Sequence, residues 1–299
     1  MPNNKLIVIL GPTATGKTKL AVKMARAFNG EIVSADSRQV YQGMDIGTGK
    51  DLQEYKTKKP ISYHLIDVIS PKKQFTLANY QKLAYKAIDD VLRKGKLPFL
   101  VGGTGLYIQA IVDGYNLPQS KPNIKLRKKL NKKSLAQLQT LAKKYKITLN
   151  QSDWQNKVRL VRKIEISINL KVKSQKLKVN APKYDCLILG LTLPKEKLIK
   201  RIKLRLKKEL TDGLVKEVKK LRQNGLLWKK LESFGLEYRF VAQYLQNKLT
   251  YDEMFNKLLI ALSQFAKRQM TWFKKDKKII WLKNKNQAKK LIRAHSSTG

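Results

Sequence analysis

The sequence predicts an α/β protein: a P-loop NTPase-like parallel sheet flanked by helices, with a small all-helical insertion domain. Residues 11–18 read GPTATGKT and match the P-loop pattern G-x-x-x-x-G-K-[ST] in full. An apolar run at 6–10, typical of a buried strand, precedes this segment, and apolar residues at helical spacing follow it at 20–25. Strand and helix patterns alternate on both sides of a basic segment, 118–183, in which the periodicity is helical through residue 168.

A loop of this kind binds a polyphosphate. Its glycines let backbone N–H groups turn inward, and the following helix presents the positive end of its dipole. Lys17 adds a positive charge, and the hydroxyl of Thr18 can hold a magnesium ion. A glycine turn that carries Lys-Thr by chance is the alternative, and the flanking strand and helix patterns argue against it. We assign binding of a diphosphate or nucleotide, as in ATP-binding proteins, to the whole loop: Gly11, Pro12, Thr13, Ala14, Thr15, Gly16, Lys17 and Thr18.

Two further strand ends are expected near this loop. A predicted second strand, 31–35, leads into Asp36, and a predicted fourth strand, 96–101, leads into the glycine-rich segment 102–105. Ligands of open α/β sheets bind at the carboxyl ends of the strands, so Asp36 is expected beside the bound phosphates. A hydrolytic NTPase usually ends a central strand in an acid that holds magnesium, and the fourth strand lacks one. The pattern therefore indicates polyphosphate binding without the usual hydrolysis apparatus.

The remaining patterns divide the chain into 1–117, the first part of the core; 118–183, the helical insertion domain; and 184–299, the second part of the core with a C-terminal helix. Prolines at 118 and 122 mark the first boundary. The other predicted elements are, in order, a strand at 63–68, a helix at 77–92, a basic loop or hairpin at 171–180, a strand at 186–191, helices from 194, at 214–221 and at 253–273, a turn at 234–238, a strand at 279–282 and a frayed tail at 295–299.

The charge is strongly unbalanced, because 64 Lys and Arg stand against 21 Asp and Glu, a formal net charge of +43. Such a surface attracts polyanions and gains free energy from counterion release, which makes nucleic acid the leading partner. A compositional bias of the source proteome is the alternative. The helix from Pro194 carries Arg201, Arg205 and Lys208 in a basic stripe. This stripe is either a solvated face or a face on which Arg201, rather than Arg205, points at the P-loop.

Composition excludes several kinds of site. One cysteine excludes a disulfide framework, and with only two histidines it cannot build a Cys-based metal cluster or a zinc site. No apolar run approaches the ~18 residues of a membrane span, and the N-terminal apolar run is too short for a signal peptide. We therefore expect a cytoplasmic protein with no membrane partner. We also expect a monomer, although these observations do not bear on the oligomeric state.

Five segments carry a resemblance to a known family: GPTATGKT (11–18), ADSRQVYQGMDIGTGK (35–50), GGTGLYIQA (102–110), NKVRLVRKIE (156–165) and AKRQMTWF (266–273). Over nearly its whole length the chain resembles the bacterial tRNA dimethylallyltransferases, also called tRNA isopentenyltransferases. The resemblance implies transfer of a dimethylallyl group from dimethylallyl diphosphate to the exocyclic N6 amine of the adenosine 3′-adjacent to the anticodon, in tRNAs that read codons starting with U. The implied products are N6-isopentenyladenosine and diphosphate. The implied cofactor is Mg²⁺, and the implied partner is the tRNA anticodon stem-loop.

The resemblance also implies roles for individual residues. Asp36 matches the general base, and Thr104 matches a threonine that contacts the reacting adenosine. Lys17, Thr18 and Arg201 match groups that hold the leaving diphosphate. The residues that match tRNA contacts are Asp36, Ser37, Arg38, Gln39, Thr104, Arg127, Arg159, Arg162, Phe234, Gly235, Gln264, Lys267, Arg268 and Gln269.

The chain departs from the family pattern in two places. Val158 stands where the family commonly has Gln, and FGLEYR at 234–239 stands where many members read IGYKE. Three other functions stay open: a small-molecule P-loop kinase, an enzyme that prenylates free adenine nucleotides, and a non-catalytic RNA-binding protein. The helical insertion argues against the second function. The intact set of Lys17, Thr18 and Asp36 argues against the third.

Overall fold

The computed structural model describes residues 4–56, 59–117, 123–170, 178–179 and 181–297. They fall in two compact units: Met1–Val112 with Pro182–Gly299, and Asp113–Ala181. The second unit covers most of the region that we predicted as an insertion, 118–183. The prolines that mark its predicted start, and all of the predicted basic loop except residues 178 and 179, lie outside the described residues.

The described residues form eight strands: β1 (Lys5–Leu10), β2 (Gly30–Ser34), β3 (Tyr63–His64), β4 (Leu97–Gly102), β5 (Tyr115–Asn116), β6 (Lys178–Val179), β7 (Asp185–Gly190) and β8 (Ile280–Trp281). Six of these strands build one sheet in the first unit, in the order β3-β2-β4-β1-β7-β8. Every neighbouring pair in this sheet is parallel. The predicted parallel α/β sheet is therefore confirmed.

The helices of the first unit are α1 (Lys17–Ala27), α2 (Leu52–Tyr55), α3 (Leu77–Arg93), α4 (Gly105–Val112), α9 (Lys195–Thr211), α10 (Leu214–Gln223), α11 (Trp228–Glu232), α12 (Leu236–Leu245), α13 (Tyr251–Phe273) and α14 (Lys285–Ser297). Those of the second unit are α5 (Ile124–Asn131), α6 (Leu135–Lys144), α7 (Gln151–Trp154) and α8 (Lys157–Leu170). Among the described residues, no helix is long and apolar enough to cross a membrane.

β1 is a central strand and is buried along its whole length. Its side chains alternate between two apolar cores. Val8 belongs to the core that contains residues of α3 and α4, whereas Ile7 and Ile9 belong to the core that contains residues of α1 and α14. A continuous apolar run is expected for a parallel strand with helices over both faces of the sheet. The P-loop therefore begins at the end of one of the most buried strands of the sheet.

The second unit has its own apolar core, to which Leu130 of α5, Leu138 of α6 and Leu160 of α8 contribute buried side chains. Each of α5, α6 and α7 follows a residue whose side chain accepts a hydrogen bond from a backbone N–H of the first turn. β5 and β6 pair antiparallel within the same unit. We predicted an all-helical insertion domain. The unit differs from that prediction in one respect, because this short strand pair accompanies its helices.

Three predicted elements differ from the structure. The predicted strand at 63–68 is only two residues long, because Leu65 and Asp67 adopt left-handed backbone conformations (φ 65° and 60°) that cannot continue a strand. The predicted turn at 234–238 instead leads directly into α12, and its last three residues belong to that helix. The predicted frayed tail, 295–299, is helical as far as the end of α14; its last two residues lie outside the described part of the chain.

A buried carboxylate ties together three segments at the amino edge of the sheet. Glu31 of β2 has a side chain that is only 2% exposed. Its oxygens lie 2.8 Å from Nζ of Lys96 and 2.7 Å from Nε2 of His64, and Nζ of Lys94 lies 3.4 Å away. Burial raises the pKa of Glu31, but the bonds from Lys96, His64 and Lys94 outweigh burial and lower this pKa to about 2.

We predict that Glu31→Gln lowers the free energy of unfolding at pH 7 by about 3 kcal/mol, at ~1.36 kcal/mol per pKa unit. The folded pKa of Glu31 lies below its ordinary value of 4.5, so its contribution is complete above that pH and is lost as the pH falls through about 2. Urea unfolding at pH 7 and pH 3 checks this, with Glu196→Gln on the exposed face of α9 as the control. A stability difference that is the same at both pH values would contradict the assignment.

Candidate active site

The P-loop joins the end of β1 to the start of α1, as predicted. Gly16 immediately precedes α1 with φ 88°, and Ala14 also has a left-handed backbone, with φ 61°. The hydroxyl of Thr15 donates to the carbonyl oxygen of Pro12 over 2.9 Å, which closes the loop on itself. The result is a preformed loop at a helix N-terminus, an arrangement that binds anions.

Lys17, the first residue of α1, reaches back to this loop. Its ammonium group donates to the carbonyl oxygen of Pro12 over 2.7 Å. Burial and the nearby guanidinium of Arg205 lower the pKa of Lys17 to about 8, while Asp36 and Asp51 act in the opposite direction. The positive charge of Lys17 is thus only partly compensated by protein groups, and a bound anion would stabilise it.

A magnesium ion at this loop would have few protein ligands. The described residues contain no group of three or more His, Cys, Asp or Glu side chains that could hold a metal ion. β4 ends at Gly102 and continues into Gly103, so no carboxylate follows this strand. The hydroxyl of Thr18, half-buried in the first turn of α1, is the candidate protein ligand. Such a site fits Mg²⁺, which typically keeps several waters and takes further oxygens from phosphates.

Two arginines of α9 lie beside the P-loop. Arg205 donates from Nη1 to the Thr13 hydroxyl over 3.4 Å and from Nε to Oε1 of Glu209 over 2.7 Å. Arg201 Nη1 lies 4.0 Å from the point that a Cβ on Gly16 would occupy. Our expectation that Arg201 alone faces the loop is therefore wrong, because residues four apart share a helix face and both guanidinium groups reach it.

The third basic residue of the predicted stripe, Lys208, behaves differently. Its side chain is 74% exposed and pairs with Asp212 over 2.6 Å, one turn further along the chain. The basic stripe thus divides into two residues at the P-loop and one on a solvated face.

Asp36 lies two residues after the end of β2, at the carboxyl edge of the sheet. Its carboxylate accepts a hydrogen bond from the backbone N–H of Arg38 over 2.8 Å. The adjacent Ser37 donates its N–H to the Thr104 hydroxyl over 3.1 Å, and Thr104 in turn donates its N–H to the carbonyl oxygen of Ala35. The predicted base and the predicted adenosine contact are therefore held side by side by hydrogen bonds.

Gln39 holds the following loop in place. Its amide donates to the carbonyl oxygen of Gly49 over 2.9 Å and accepts from the hydroxyl of Ser34 over 3.0 Å. Gly49 packs closely against Arg205, since a Cβ at Gly49 would lie 1.5 Å from Nη2 of that residue. Gln39 thus has an internal role, and its predicted contact with tRNA stays a prediction.

Two further anchors of this loop escaped the sequence analysis. Lys50, 1% exposed, pairs with both Asp45 and Asp67 at 2.5 Å. Glu217 of α10 accepts hydrogen bonds from three consecutive backbone N–H groups, those of residues 45–47, over 2.7–3.1 Å. The role of Glu217 could be found only from the fold, because its partners lie about 170 positions away in the sequence.

The segment before α12 combines an apolar anchor with a carboxylate. Phe234 is 2% exposed and stacks edge-on against Tyr41 at a centroid distance of 4.8 Å, so its side chain belongs to a core. A Cβ on Gly235 would lie 3.5 Å from Oε2 of Glu237 and 3.9 Å from Nε of Arg38, which places both groups beside this glycine. Burial is the main cause that raises the pKa of Glu237 to about 7, and the nearby carboxyl group of Glu209 raises it further.

The predicted RNA-contacting residues of α13 do not share one environment. Gln264, Lys267 and Arg268 are exposed, and the guanidinium of Arg268 lies over the ring of Phe265 at 5.9 Å. The side chain of Gln269 instead forms hydrogen bonds with the backbone of Thr13 in the P-loop and of Gly103 after β4. Only Gln269 of these four predicted contacts therefore has a hydrogen bond with the P-loop among the described residues.

The predicted tRNA contacts of the second unit surround buried acids. Glu165, fully buried, accepts two hydrogen bonds from Arg127, at 2.9 and 2.8 Å, and one from Arg162 at 2.6 Å. Burial raises the pKa of Glu165, but the bonds from Arg127 and Arg162 lower it further than burial raises it. Arg159, 53% exposed, pairs more loosely with Asp153 at 3.5 Å. Arg127 and Arg162 therefore have structural roles beside their predicted RNA contacts.

Known proteins resemble this chain over nearly its whole length. The IPP transferase family model matches residues 39–276, and the isopentenyl transferase model matches residues 4–67. The tRNA dimethylallyltransferase 1 of Syntrophus aciditrophicus is 45% identical over 283 residues, which cover 93% of each chain. The solved structure of a tRNA isopentenylpyrophosphate transferase from Bacillus halodurans has a TM-score of 0.73 and 32% identity, over 98% of this chain and 97% of that one. A eukaryotic dimethylallyltransferase acting on tRNA has a TM-score of 0.73 and 27% identity, over 90% of this chain and 70% of its own.

We predict that Arg162→Gln destabilises the protein by roughly 1–3 kcal/mol, because a charged hydrogen bond to the buried Glu165 is lost. Arg159→Gln, which removes an exposed and looser pair, should change stability by less than about 1 kcal/mol. Urea unfolding of both variants, with tRNA affinity measured on each, separates the two roles. Weakened tRNA binding by Arg162→Gln at unchanged stability would contradict the structural role of Arg162.

Proposed function

Because the chain belongs to the IPP transferase family, we propose that it transfers a dimethylallyl group from dimethylallyl diphosphate to the N6 amine of the adenosine 3′-adjacent to the anticodon of a tRNA. The substrates are tRNAs that read codons starting with U, and the products are N6-isopentenyladenosine and diphosphate. One observation carries this proposal. The P-loop, with its partly compensated Lys17, and the Asp36–Thr104 pair lie along the same carboxyl edge of the sheet, and no carboxylate follows β4.

The reaction needs a base at the acceptor nitrogen. The N6 amine attacks the allylic carbon of dimethylallyl diphosphate, a C–N bond forms, and the bond from that carbon to the diphosphate oxygen breaks. The nitrogen carries a positive charge as the bond forms, and its proton passes to the carboxylate of Asp36. A neutral aromatic amine is a very weak acid, so Asp36 acts only as this charge develops. The backbone N–H of Arg38 orients the carboxylate for that transfer.

The reaction also needs groups that stabilise the leaving diphosphate. Negative charge grows on the bridging oxygen as its bond to carbon breaks. Lys17, Arg201 and Arg205 surround the P-loop and are placed to offset that charge, and the N-terminus of α1 adds its dipole. Mg²⁺, held by the Thr18 hydroxyl together with diphosphate oxygens and water, would neutralise further charge when it is bound.

The acceptor RNA is recognised by charge and by the adenosine site. Exposed Lys267 and Arg268 on α13, and a net charge of +43, favour contact with the phosphates of an anticodon stem-loop. Thr104 lies beside Asp36 and contacts the reacting adenosine after that base leaves its stack. A tRNA substrate supports a cytoplasmic location, and we propose that the chain acts there as a monomer.

The direct test is incubation of the protein with unmodified tRNA, dimethylallyl diphosphate and Mg²⁺, followed by mass analysis of the digested nucleosides. The proposal expects N6-isopentenyladenosine at the position 3′ to the anticodon. Parallel reactions with ATP and with free adenine nucleotides distinguish the proposed tRNA modification from the activity of a small-molecule kinase and from prenylation of free nucleotides. Product formed only from free nucleotides, or phosphoryl transfer from ATP without modified tRNA, would overturn it.

We predict that Asp36→Asn lowers kcat on the order of 10²–10⁴-fold, because the variant keeps the size of the side chain but cannot take up the proton. Affinity for tRNA should change little. Single-turnover kinetics with saturating substrates measure the effect, and Asp212→Asn, on the exposed face beside Lys208, is the matched control. Turnover near that of the unmodified protein would show that Asp36 has only a structural role.

We predict that Arg201→Gln and Arg205→Gln each lower kcat/KM for dimethylallyl diphosphate by roughly 10–100-fold, the size expected for loss of a charged hydrogen bond. Lys208→Gln, on the solvated part of the same helix, should have little effect. Arg205→Gln should also reduce stability, because it leaves Glu209 buried without its ion pair. Steady-state kinetics at varied concentrations of dimethylallyl diphosphate measure these effects. If Lys208→Gln lowers kcat/KM as much as the other two substitutions, the three residues form a solvated basic face and none of them acts specifically on the diphosphate.

A further inference from the structure

Gln269 lies between the two halves of the candidate active site. Its Oε1 accepts a hydrogen bond from the backbone N–H of Thr13 over 2.9 Å, and its Nε2 donates to the carbonyl oxygen of Gly103 over 2.9 Å. The fit around the amide is tight, because a Cβ on Gly103 would lie 2.6 Å from Nε2. The side chain of Gln269 thus closes a bridge between two loops that are separated by about 90 positions in the sequence.

Each loop at this bridge serves a different substrate under the proposed function. Thr13 belongs to the P-loop, and because Gln269 takes its N–H, the bridge holds in place the loop whose other backbone N–H groups are offered to phosphates. Gly103 immediately precedes Thr104, which bonds to Ser37 and so holds the segment that carries Asp36. Gln269 therefore connects the diphosphate site directly to the adenosine site.

The helix that carries Gln269 also carries exposed residues for which we predict RNA contacts. Arg268 is exposed on α13 next to Gln269 in sequence, and Phe265, one turn earlier, lies beneath the Arg268 guanidinium. α13 is an uninterrupted helix of 23 residues, so a shift of its exposed residues moves Gln269 as well. A contact with tRNA on this helix would fix the position of the side chain that holds the Thr13 N–H.

We propose that Gln269 is a positioning residue that couples tRNA binding to diphosphate binding, a role that rests on the proposed function. Contact of tRNA with α13 fixes the amide of Gln269, which in turn fixes the P-loop at Thr13 and the adenosine site at Gly103. Coupling between two sites is reciprocal, so a bound diphosphate raises the affinity for tRNA by the same factor. Gln269 thereby favours a state in which both substrates are present before the allylic bond breaks.

The test measures the dissociation constant of inorganic diphosphate, with Mg²⁺, in the absence and presence of saturating tRNA. The ratio of the two constants for the unmodified protein is expected in the range of about 5–150-fold. Gln269→Met keeps the length of the side chain but removes both hydrogen bonds, and its ratio should fall to near one. Thr271→Val is the control, because the Thr271 hydroxyl donates to the carbonyl oxygen of Lys267 within α13 itself; its ratio should match that of the unmodified protein.

Gln269→Glu separates the two bonds, because the carboxylate still accepts from Thr13 but cannot donate to Gly103. An intermediate ratio supports the bridge, and it does so even if Gln269→Met fails to fold in thermal unfolding. A ratio near one for the unmodified protein, or an unchanged ratio in a folded Gln269→Met or in Gln269→Glu, overturns the proposal. The measurement needs no turnover, so its failure is distinct from a failure to form N6-isopentenyladenosine.

Discussion

The parallel pairing of β1 with β4 and β7 is the constraint on which the candidate site depends. Leu10, the last residue of β1, pairs with Gly102 on one side and with Gly190 on the other. The three strands therefore end level, and the P-loop, the Thr104 loop and the segment leading to α9 all leave the sheet at one edge. β2 is paired with β4 in the same sheet, which brings Asp36 to this edge as well. Residues from four distant parts of the sequence meet because hydrogen bonds between buried strands fix their register.

The same edge concentrates positive charge with incomplete compensation. Burial and Arg205 lower the pKa of Lys17, while Glu209 pairs with Arg205. Glu237 adds a carboxylate with a pKa raised to about 7 by burial and by Glu209, so part of the acidic charge in this region is lost near neutral pH. Preorganised cations that face a developing anion are an efficient way to stabilise a leaving group. A bound diphosphate would add negative charge beside Lys17 and would stabilise its protonated form.

The sequence patterns predicted those parts of the site that depend on residues close together in the chain. The P-loop, β1 and α1 follow from contiguous residues, and Asp36 follows from its place at a strand end. α4, in contrast, is apolar on nearly all sides, so its sequence has no helical periodicity by which to recognise it. Glu217 and Gln269 act on backbone groups about 170 and 256 positions away, which no local pattern encodes. The pairing of Arg162 with Glu165 was within reach of the sequence, because residues three apart share a helix face.

The central claim is that protein groups at this edge compensate the charge of Lys17 only in part, and that a diphosphate binds beside this lysine. The most direct measurement is the pKa of Lys17 by NMR of the labelled side chain, assigned by comparison with Lys17→Arg, with and without inorganic diphosphate. We predict a pKa of about 8 in the free protein, well below the ordinary value of 10.5, and a clear increase when diphosphate binds. A pKa near 10.5 in the free protein, or one that diphosphate leaves unchanged, would contradict this account of the site.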